Sequence, residues 1–298
     1  MNFHPFRFLF GEAAQAGVPE PDFLCVGMVK AATDWLFDQL LHHPEFWIPP
    51  VKELRYLNVP MPCMDNTLRK LSHYKPTRRS PARDGNLAFL QEASALAEQP
   101  RNFEKYAALF RFKGARLSGD ISPGYYDLDG ETIASIAQHF PKLKVILMVR
   151  EPLERVWSHI SMRCREGHFD AALLNDVTAF SRWFGESEVR RACFATQVAQ
   201  NWARFAPNVP FRFFFFDDVE AKPEVVRAEI IAFLGGNPRK KSGKLAASYN
   251  RKAHLPKLLM PEPIKAFLLS ELRDEIRGCA NAFGGPAQTW PARYALQD

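Results

Sequence analysis

The apolar positions of the chain fall into short unbroken runs, separated by stretches in which apolar residues recur every three or four positions. Three runs have the length of buried strands: DFLCVG (22–27), KVILMVR (144–150) and PFRFFFF (210–216). A fourth strand is expected in RLSGDISPGYY (116–126), which runs into a Pro-Gly turn. Unbroken apolar runs are typical of parallel strands that are covered on both faces.

Helical periodicity fills the stretches between these strands. The first helix is expected to start near Thr33, and another begins at about Pro152, since proline suits a first helical turn. Further helices are predicted over 102–112, about 129–139, about 187–206 and 223–234, the last ending at a Gly-Gly pair. Strands that alternate with helices predict a three-layer α/β fold, with a central, mainly parallel sheet flanked by helices.

The chain length leaves the number of domains open, and the resemblance described below, which spans about residues 22–236, implies a single domain. A length of 298 residues allows either one large α/β domain or two small ones. The least regular part, at about 60–100, is rich in Pro, Ser and basic residues, and we interpret it as an insertion. We therefore predict one domain over 1–298, with this basic insertion and a C-terminal basic loop and helical cap at about 237–298.

The basic charge of the chain is concentrated in two segments. Lys and Arg number 39 against 33 Asp and Glu, which gives a net charge of +6. Six basic residues and no acid lie between Arg69 and Arg83, and seven basic residues and no acid lie between Arg239 and Lys257. An excess this local indicates an anionic partner but disfavours a nucleic acid, which requires a broad basic face.

The sequence offers no sign of a membrane span or of a metal site. No apolar run approaches the roughly 18 residues that a span requires, and the N-terminus does not have the pattern of a signal peptide. The five cysteines show neither a CxxC pair nor a Cys/His spacing typical of zinc. We therefore expect a soluble, cytoplasmic protein with reduced thiols and no metal.

Candidate chemistry begins in the turn after the first strand. GMVKAATDWL (27–36) places Lys30 between that strand and a helix that starts near Thr33. Such a turn directs backbone N–H groups and the positive end of the helix dipole at one point, which makes an anion site. Lys30 adds a charge and Thr33 a hydroxyl donor. This arrangement is similar to that of a Walker phosphate loop, although the GxxxxGK[ST] motif of such a loop is absent from this sequence.

A second anion site is predicted at the end of the strand 144–150. Arg150 ends this strand, and Ser158 follows about two helical turns later. A guanidinium and a hydroxyl suit a terminal phosphate, although Arg150 alone is also compatible with a salt bridge at a strand end. A magnesium-dependent kinase requires an Asp near this position, so the cation disfavours phosphoryl transfer with a metal.

Together these segments resemble the sulfotransferases that use 3′-phosphoadenosine 5′-phosphosulfate (PAPS), which share a fold similar to that of P-loop NTPases. The match is closest in style to bacterial and glycosaminoglycan-type carbohydrate sulfotransferases. REPLERVWS resembles their 3′-phosphate motif R-x-P-x-x-R-x-x-S, in which Arg150 and Ser158 match the cofactor contacts. The segment that resembles their 5′-phosphosulfate loop K-x-G-T-T-x-L contains Lys30, Ala31, Ala32, Thr33, Asp34 and Trp35.

Three further stretches extend the resemblance over about residues 22–236. PPVKELRYLN is similar to P-P-x-K-E-x-H-F-F, and YAALF…GDISPGYY is similar to Y-x-x-L-F…G-E-x-S-P-x-Y. FFFFDDVEAKPEVVRAEIIAFLG is similar to the late strand, acidic pair and helix of the family. Five motifs in the correct order make the resemblance specific.

The resemblance implies a mechanism and a set of site residues. Lys30 is expected at the bridging oxygen and the departing 5′-phosphate, and Glu53 as the general base for the acceptor hydroxyl. Arg251 and Lys252 match a loop that contacts the 3′-phosphate. The co-substrate is PAPS, the product adenosine 3′,5′-bisphosphate, and no metal is needed. A saccharide acceptor is favoured because Glu53 fits that branch, and an anionic one because of the segment Arg69–Arg83. The hydroxyl of a lipid, polyketide, phenol or peptide stays open as an alternative acceptor.

Three departures from the family pattern keep other interpretations open. Ala32 stands where the family has Gly, Asp34 replaces a Thr, and Ile121 stands where the glycosaminoglycan branch has Lys. Asp34 places a carboxylate near an anion unless it caps the helix instead. A non-catalytic homologue that binds PAPS or another nucleotide is therefore an alternative, and a P-loop-type nucleotide kinase is a weaker one.

Overall fold

Four parallel strands form one sheet in the part of the chain that the structure describes. The computed structural model describes residues 19–58, 85–96, 99–240, 245–250, 254–255 and 258–296. The strands are β1 (Phe23–Cys25), β2 (Gly119–Ile121), β3 (Lys144–Val149) and β4 (Phe211–Phe215). The order across the sheet is β2-β1-β3-β4, and each neighbouring pair is parallel.

The helices cover the sheet and give the expected three-layer α/β arrangement, which confirms the predicted fold class. The helices are α1 (Thr33–Leu41), α2 (Asn86–Leu96), α3 (Phe103–Ala108), α4 (Gly130–His139), α5 (Pro152–Arg165), α6 (Val177–Glu186), α7 (Glu188–Arg191), α8 (Ala195–Phe205), α9 (Phe216–Ala221), α10 (Pro223–Leu234) and α11 (Glu262–Phe283). α1 packs against α10, α4 packs against α8, and α11 packs against both α5 and α8.

Local signals set several of these boundaries as expected. α1 begins at Thr33, and α5 begins at Pro152 with the Glu151 carboxylate accepting from the first-turn N–H groups of Leu153 and Glu154. α10 ends where Gly235 takes a left-handed conformation with φ 98°. That conformation carries no Cβ penalty for glycine, which explains why the Gly-Gly pair ends the helix.

The structure corrects three of the sequence-based boundaries. Asn86–Leu96 forms a helix inside the stretch at about 60–100 that we expected to be irregular. Val177–Glu186 forms a helix that the sequence reading missed, and the predicted helix 187–206 is two helices separated by a break. Residues 59–84 lie outside the described residues, and so does the basic segment Arg69–Arg83.

Strand β4 lies at the edge of the sheet, so the expectation of a third fully buried strand was wrong. Phe214 and Phe215 are buried, whereas Arg212 is exposed and Phe211 and Phe213 are only half-buried. An exposed charge on an edge strand discourages pairing with another chain. Four successive phenylalanines, at 213–216, therefore do not by themselves identify a central strand.

The strand order places a crevice beside β1. The chain leaves β1 for β2 on one side and then returns to β3 on the other side. In open parallel sheets, ligands bind at such a switch point, outside the carboxyl ends of the strands. Residues 27–32 follow β1 and residues 150–151 follow β3, so both predicted anion sites lie at this edge.

Two further features concern membranes and cysteines. Within the described ranges, no helix is long and apolar enough to cross a membrane. Cys25, Cys164, Cys193 and Cys279 are free thiols, and Cys63 lies outside the described residues. Burial raises the pKa of the Cys25 thiol to about 12, which makes it a packing residue, not a nucleophile.

Candidate active site

The two predicted anion sites are in direct contact. The Arg150 guanidinium, at the end of β3, donates from Nη1 to the main-chain carbonyl of Lys30 over 3.3 Å. Lys30 lies in the turn between β1 and α1. Because neighbouring parallel strands end at the same edge, two residues 120 positions apart in sequence meet at the switch point.

The turn has a backbone that glycine would adopt more easily. Lys30 and Ala32 both have left-handed conformations, with φ of 68° and 67°. An L-residue in this region is destabilised by roughly 1–2 kcal/mol relative to right-handed backbone. The replacement of the family's Gly by Ala32 therefore has a backbone consequence as well as adding a methyl group.

The N-terminus of α1 is left without a side-chain cap. Ala32 occupies the cap position and has no side chain that accepts a hydrogen bond from the first turn. The N–H groups at the start of a helix have no partner within the helix and carry partial positive charge. The cap position therefore leaves the first-turn N–H groups of α1 without a side-chain acceptor from Ala32, and the anion site expected at this turn stays a prediction.

The Lys30 side chain extends toward α5. Its Nζ lies 3.5 Å from the Sδ of Met162, and the buried imidazole of His159 lies one turn earlier on the same helix. Burial lowers the pKa of His159 to about 3, and the positive charges of Arg155, Lys30 and Arg163 contribute. His159 is therefore neutral near Lys30 and does not repel its ammonium. The sequence reading assigned this histidine no role.

Arg150 is held in place by more than its strand-end position. Its guanidinium carbon lies 4.0 Å from the ring centroid of Phe216, and Nη2 lies 3.3 Å from the Glu154 carboxylate. The strand-end salt bridge that we considered is therefore present, but Glu154 is 46% exposed, and such pairs contribute little stability. The Nε atom is buried with no hydrogen-bond partner. Ser158 lies half-buried on α5.

Lys52, which the sequence offers only as a possible ion-pair partner of Glu53, connects the first turn of α1 to this expected base. Lys52 Nζ lies 2.9 Å from Asp34 Oδ1, 3.0 Å from Glu53 Oε1 and 3.2 Å from Thr33 Oγ1. Burial works to lower the pKa of Lys52, but the carboxylates of Glu53 and Asp34 outweigh it and raise that pKa above its usual range. The Asp34 carboxylate therefore does not stand alone beside the anion site expected here; it pairs with an ammonium.

Strand β2 and the turn after it hold the segment that carries Glu53. Glu53 N–H donates to the carbonyl of Ile121 over 3.2 Å. Arg55 N–H donates to the Ser122 hydroxyl over 3.0 Å, and Leu57 N–H donates to the Tyr125 hydroxyl over 3.3 Å. Glu53 itself has φ 66°. These contacts fix a left-handed backbone that a mobile loop would avoid.

The hydroxyls that hold this segment are anchored on one buried carboxylate. Asp120 accepts hydrogen bonds from Tyr125 over 2.6 Å, Ser122 over 2.7 Å and Tyr106 over 3.1 Å. Burial raises the pKa of Asp120, against the lowering effect of these donors. The sequence identifies GDISPGYY as a motif, but only the fold shows that this motif holds the segment that carries Glu53.

Two tryptophans tie the C-terminal segment to the helices that follow the anion sites. Trp35 on α1 is buried and donates from Nε1 to the carbonyl of Ala247 over 2.6 Å. Trp157 on α5 donates to the carbonyl of Leu258 over 2.7 Å. Arg251 and Lys252 lie between these two attachments in sequence but outside the described residues.

Comparison with known proteins identifies the family. The sequence profile described as "Sulfotransferase family" matches residues 21–237. No curated protein is matched by sequence. The structure is similar to that of a sulfotransferase from Alicyclobacillus acidocaldarius, with a TM-score of 0.64 and 18% identity, covering 91% of this chain and 98% of that one. At this identity the likeness shows a shared fold.

A second solved structure is the sulfotransferase domain of the Synechococcus PCC 7002 olefin synthase, with a TM-score of 0.48 and 15% identity, covering 96% of this chain and 98% of that one. The family profile covers most of the chain and spans both anion sites and the Glu53 segment. This chain belongs to the sulfotransferase family.

Proposed function

We propose that this sulfotransferase moves the sulfonate group of PAPS to the hydroxyl of an acceptor and releases adenosine 3′,5′-bisphosphate. The observation that supports this most is the contact between Arg150 and the Lys30 turn. Two cationic elements side by side at a switch point suit a nucleotide with anionic groups at both its 5′ and 3′ positions.

Each residue has a distinct role in the proposed reaction. Lys30 and the uncapped start of α1 stabilise the charge that develops on the departing 5′-phosphate. Arg150 and Ser158 hold the 3′-phosphate, and Glu53 accepts the proton of the acceptor hydroxyl. Transfer of this kind requires in-line positioning and charge stabilisation, without a covalent intermediate.

Glu53 is a better candidate for the base than the nearby histidines. One ammonium, that of Lys52, connects Glu53 to Thr33 in the first turn of α1. His42 and His43 lie at the other end of α1, where their rings contact main-chain groups at the carbonyls of Asp38 and Asn237. A carboxylate base at this position supports a saccharide hydroxyl as the acceptor, in keeping with the sequence resemblance.

Binding of adenosine 3′,5′-bisphosphate, measured by calorimetry, tests the proposed donor. Lys30→Ala and Arg150→Ala should each weaken binding about 10- to 100-fold, since a charge-assisted hydrogen bond contributes roughly 1.5–3 kcal/mol. Lys113→Met is the matched control, because Lys113 is a buried lysine that pairs with Asp22 at 2.8 Å, before β1 begins and away from the crevice. This variant should bind normally.

Three results would contradict the proposal. A wild-type protein that binds magnesium-ATP but not adenosine 3′,5′-bisphosphate would support the kinase alternative. Tight binding of the bisphosphate without turnover of PAPS on any acceptor, and with no effect of Lys30→Ala, would support the non-catalytic homologue. Normal affinity in both Lys30→Ala and Arg150→Ala would show that the nucleotide binds elsewhere.

A further inference from the structure

Lys52 is placed to do more than pair with its neighbours. Its ammonium reaches from the Glu53 segment to the first turn of α1, where it contacts both the Thr33 hydroxyl and the Asp34 carboxylate. Thr33 belongs to the same turn that presents N–H groups to the crevice. The Lys52 side chain is 16% exposed, so it is largely but not fully buried.

We propose that Lys52 is a second lysine of the donor site, which contacts the 5′ end of PAPS, while Asp34 holds its ammonium until the donor binds. This inference rests on the proposed function and goes beyond it in assigning Lys52 and Asp34 these roles. An ammonium has three N–H donors, and Asp34, Glu53 and Thr33 occupy them at 2.9, 3.0 and 3.2 Å. An anionic oxygen of the donor must therefore replace one of these partners.

Asp34 is the partner that the donor displaces. It lies in the first turn of α1, where an incoming anion meets N–H groups and where a carboxylate repels that anion. Glu53 is needed on the acceptor side of the reaction. The raised pKa of Lys52 keeps the ammonium charged through the exchange, with burial opposing and the two carboxylates favouring the charged form.

The chemical step is balanced without a proton from Lys52. The bond between sulfur and the oxygen of the 5′-phosphate breaks, and its electron pair stays on that oxygen. A new bond forms between sulfur and the acceptor oxygen, and the acceptor proton passes to Glu53. Lys52 remains an ammonium throughout and neutralises charge on the sulfonate and the departing phosphate.

Two ligands that differ only at the 5′ position separate this role from a structural one. Calorimetry measures the affinity of adenosine 3′,5′-bisphosphate and of adenosine 3′-phosphate for Asp34→Asn and for the double variants D34N/K52M and D34N/K52Q. Asp34→Asn is the reference because replacing Lys52 in a protein that keeps Asp34 would also deprive that carboxylate of its ammonium partner. Two neutral replacements of similar length are used so that one poorly folded variant does not decide the outcome.

The double variants should bind the bisphosphate about 10- to 100-fold more weakly than Asp34→Asn, and adenosine 3′-phosphate with unchanged affinity. Equal loss of affinity for both ligands, or no loss for either, would overturn the role of Lys52. The proposed function would still stand in that case, as long as the wild-type protein binds the bisphosphate. If the wild-type protein binds neither ligand, the proposed function itself fails. Lys113→Met should change the unfolding free energy but not the affinity for one ligand relative to the other.

Discussion

Replacing Tyr125 with Phe tests whether the buried Asp120 network positions the segment that carries Glu53. The Tyr125 hydroxyl donates to Asp120 over 2.6 Å and accepts from Leu57 N–H over 3.3 Å. Tyr106 provides a matched control, since its hydroxyl donates to the same carboxylate over 3.1 Å and both tyrosines are 0–1% exposed. Both substitutions remove one donor from Asp120, but only Tyr125→Phe removes the acceptor of Leu57.

The expected losses of stability follow from these contacts. A hydrogen bond to a charged group contributes about 1.5–3 kcal/mol, and a buried N–H left without an acceptor adds roughly 1–3 kcal/mol. Tyr106→Phe should therefore lower the unfolding free energy by about 2 kcal/mol, and Tyr125→Phe by about 3–5 kcal/mol. Denaturant unfolding measures both values.

Two further assays distinguish loosening of the segment from loss of stability. Hydrogen exchange of the Leu57 amide should be slow in the wild type and in Tyr106→Phe, and fast in Tyr125→Phe. The turnover of PAPS should fall about tenfold or more in Tyr125→Phe alone, because a small displacement of a catalytic group lowers the rate strongly. Equal exchange of Leu57 in both variants, or equal loss of turnover, would refute the positioning role.

Three other predictions follow from the site. Ala32→Gly should raise the unfolding free energy by about 0.5–1 kcal/mol, because relief of the left-handed backbone exceeds the entropy that glycine loses on folding, and a loss of stability would count against this. The unfolding free energy should fall by about 2 kcal/mol between pH 6.5 and 5, because the folded pKa of His159 is lowered to about 3 and the unfolded state takes up the proton first. His159→Gln should remove that pH dependence. A pH dependence that persists in this variant would come from groups other than His159. The charged neighbours of His159 are Arg155, Arg163, Glu188 and Lys30. Sulfonate transfer should continue in a metal chelator, and its abolition would argue against the assigned cationic site.

The sequence pattern predicted the central strands well, and it placed Lys30 and Arg150 each after one of them. β3 is an unbroken apolar run because it is covered on both faces. β1 ends at Cys25, two residues before Gly27, where the loop begins. Lys30 and Arg150 could be placed together because residues that follow neighbouring parallel strands share one edge. The family profile covers the same region.

Other features depend on contacts that no local pattern reveals. The partner of Asp34 is Lys52, which is 18 residues away and approaches from a loop whose path is set by hydrogen bonds to β2 and the turn after it. The edge position of β4 follows from the order of the strands, which the apolar content of β4 does not encode. The roles of single residues in donor binding and catalysis, and the single-domain prediction over 1–298, stay predictions.

The most direct test of the account follows the sulfur and the phosphate of the donor separately. PAPS labelled at sulfur or at the 5′-phosphate is incubated with the protein and a library of saccharides, lipids and phenols, and the labelled products are separated. The account predicts that the sulfur label appears on a hydroxyl-bearing acceptor, that the phosphate label remains in adenosine 3′,5′-bisphosphate, and that Lys30→Ala abolishes the transfer. Phosphate label on the acceptor, or sulfur transfer that persists in Lys30→Ala, would contradict it.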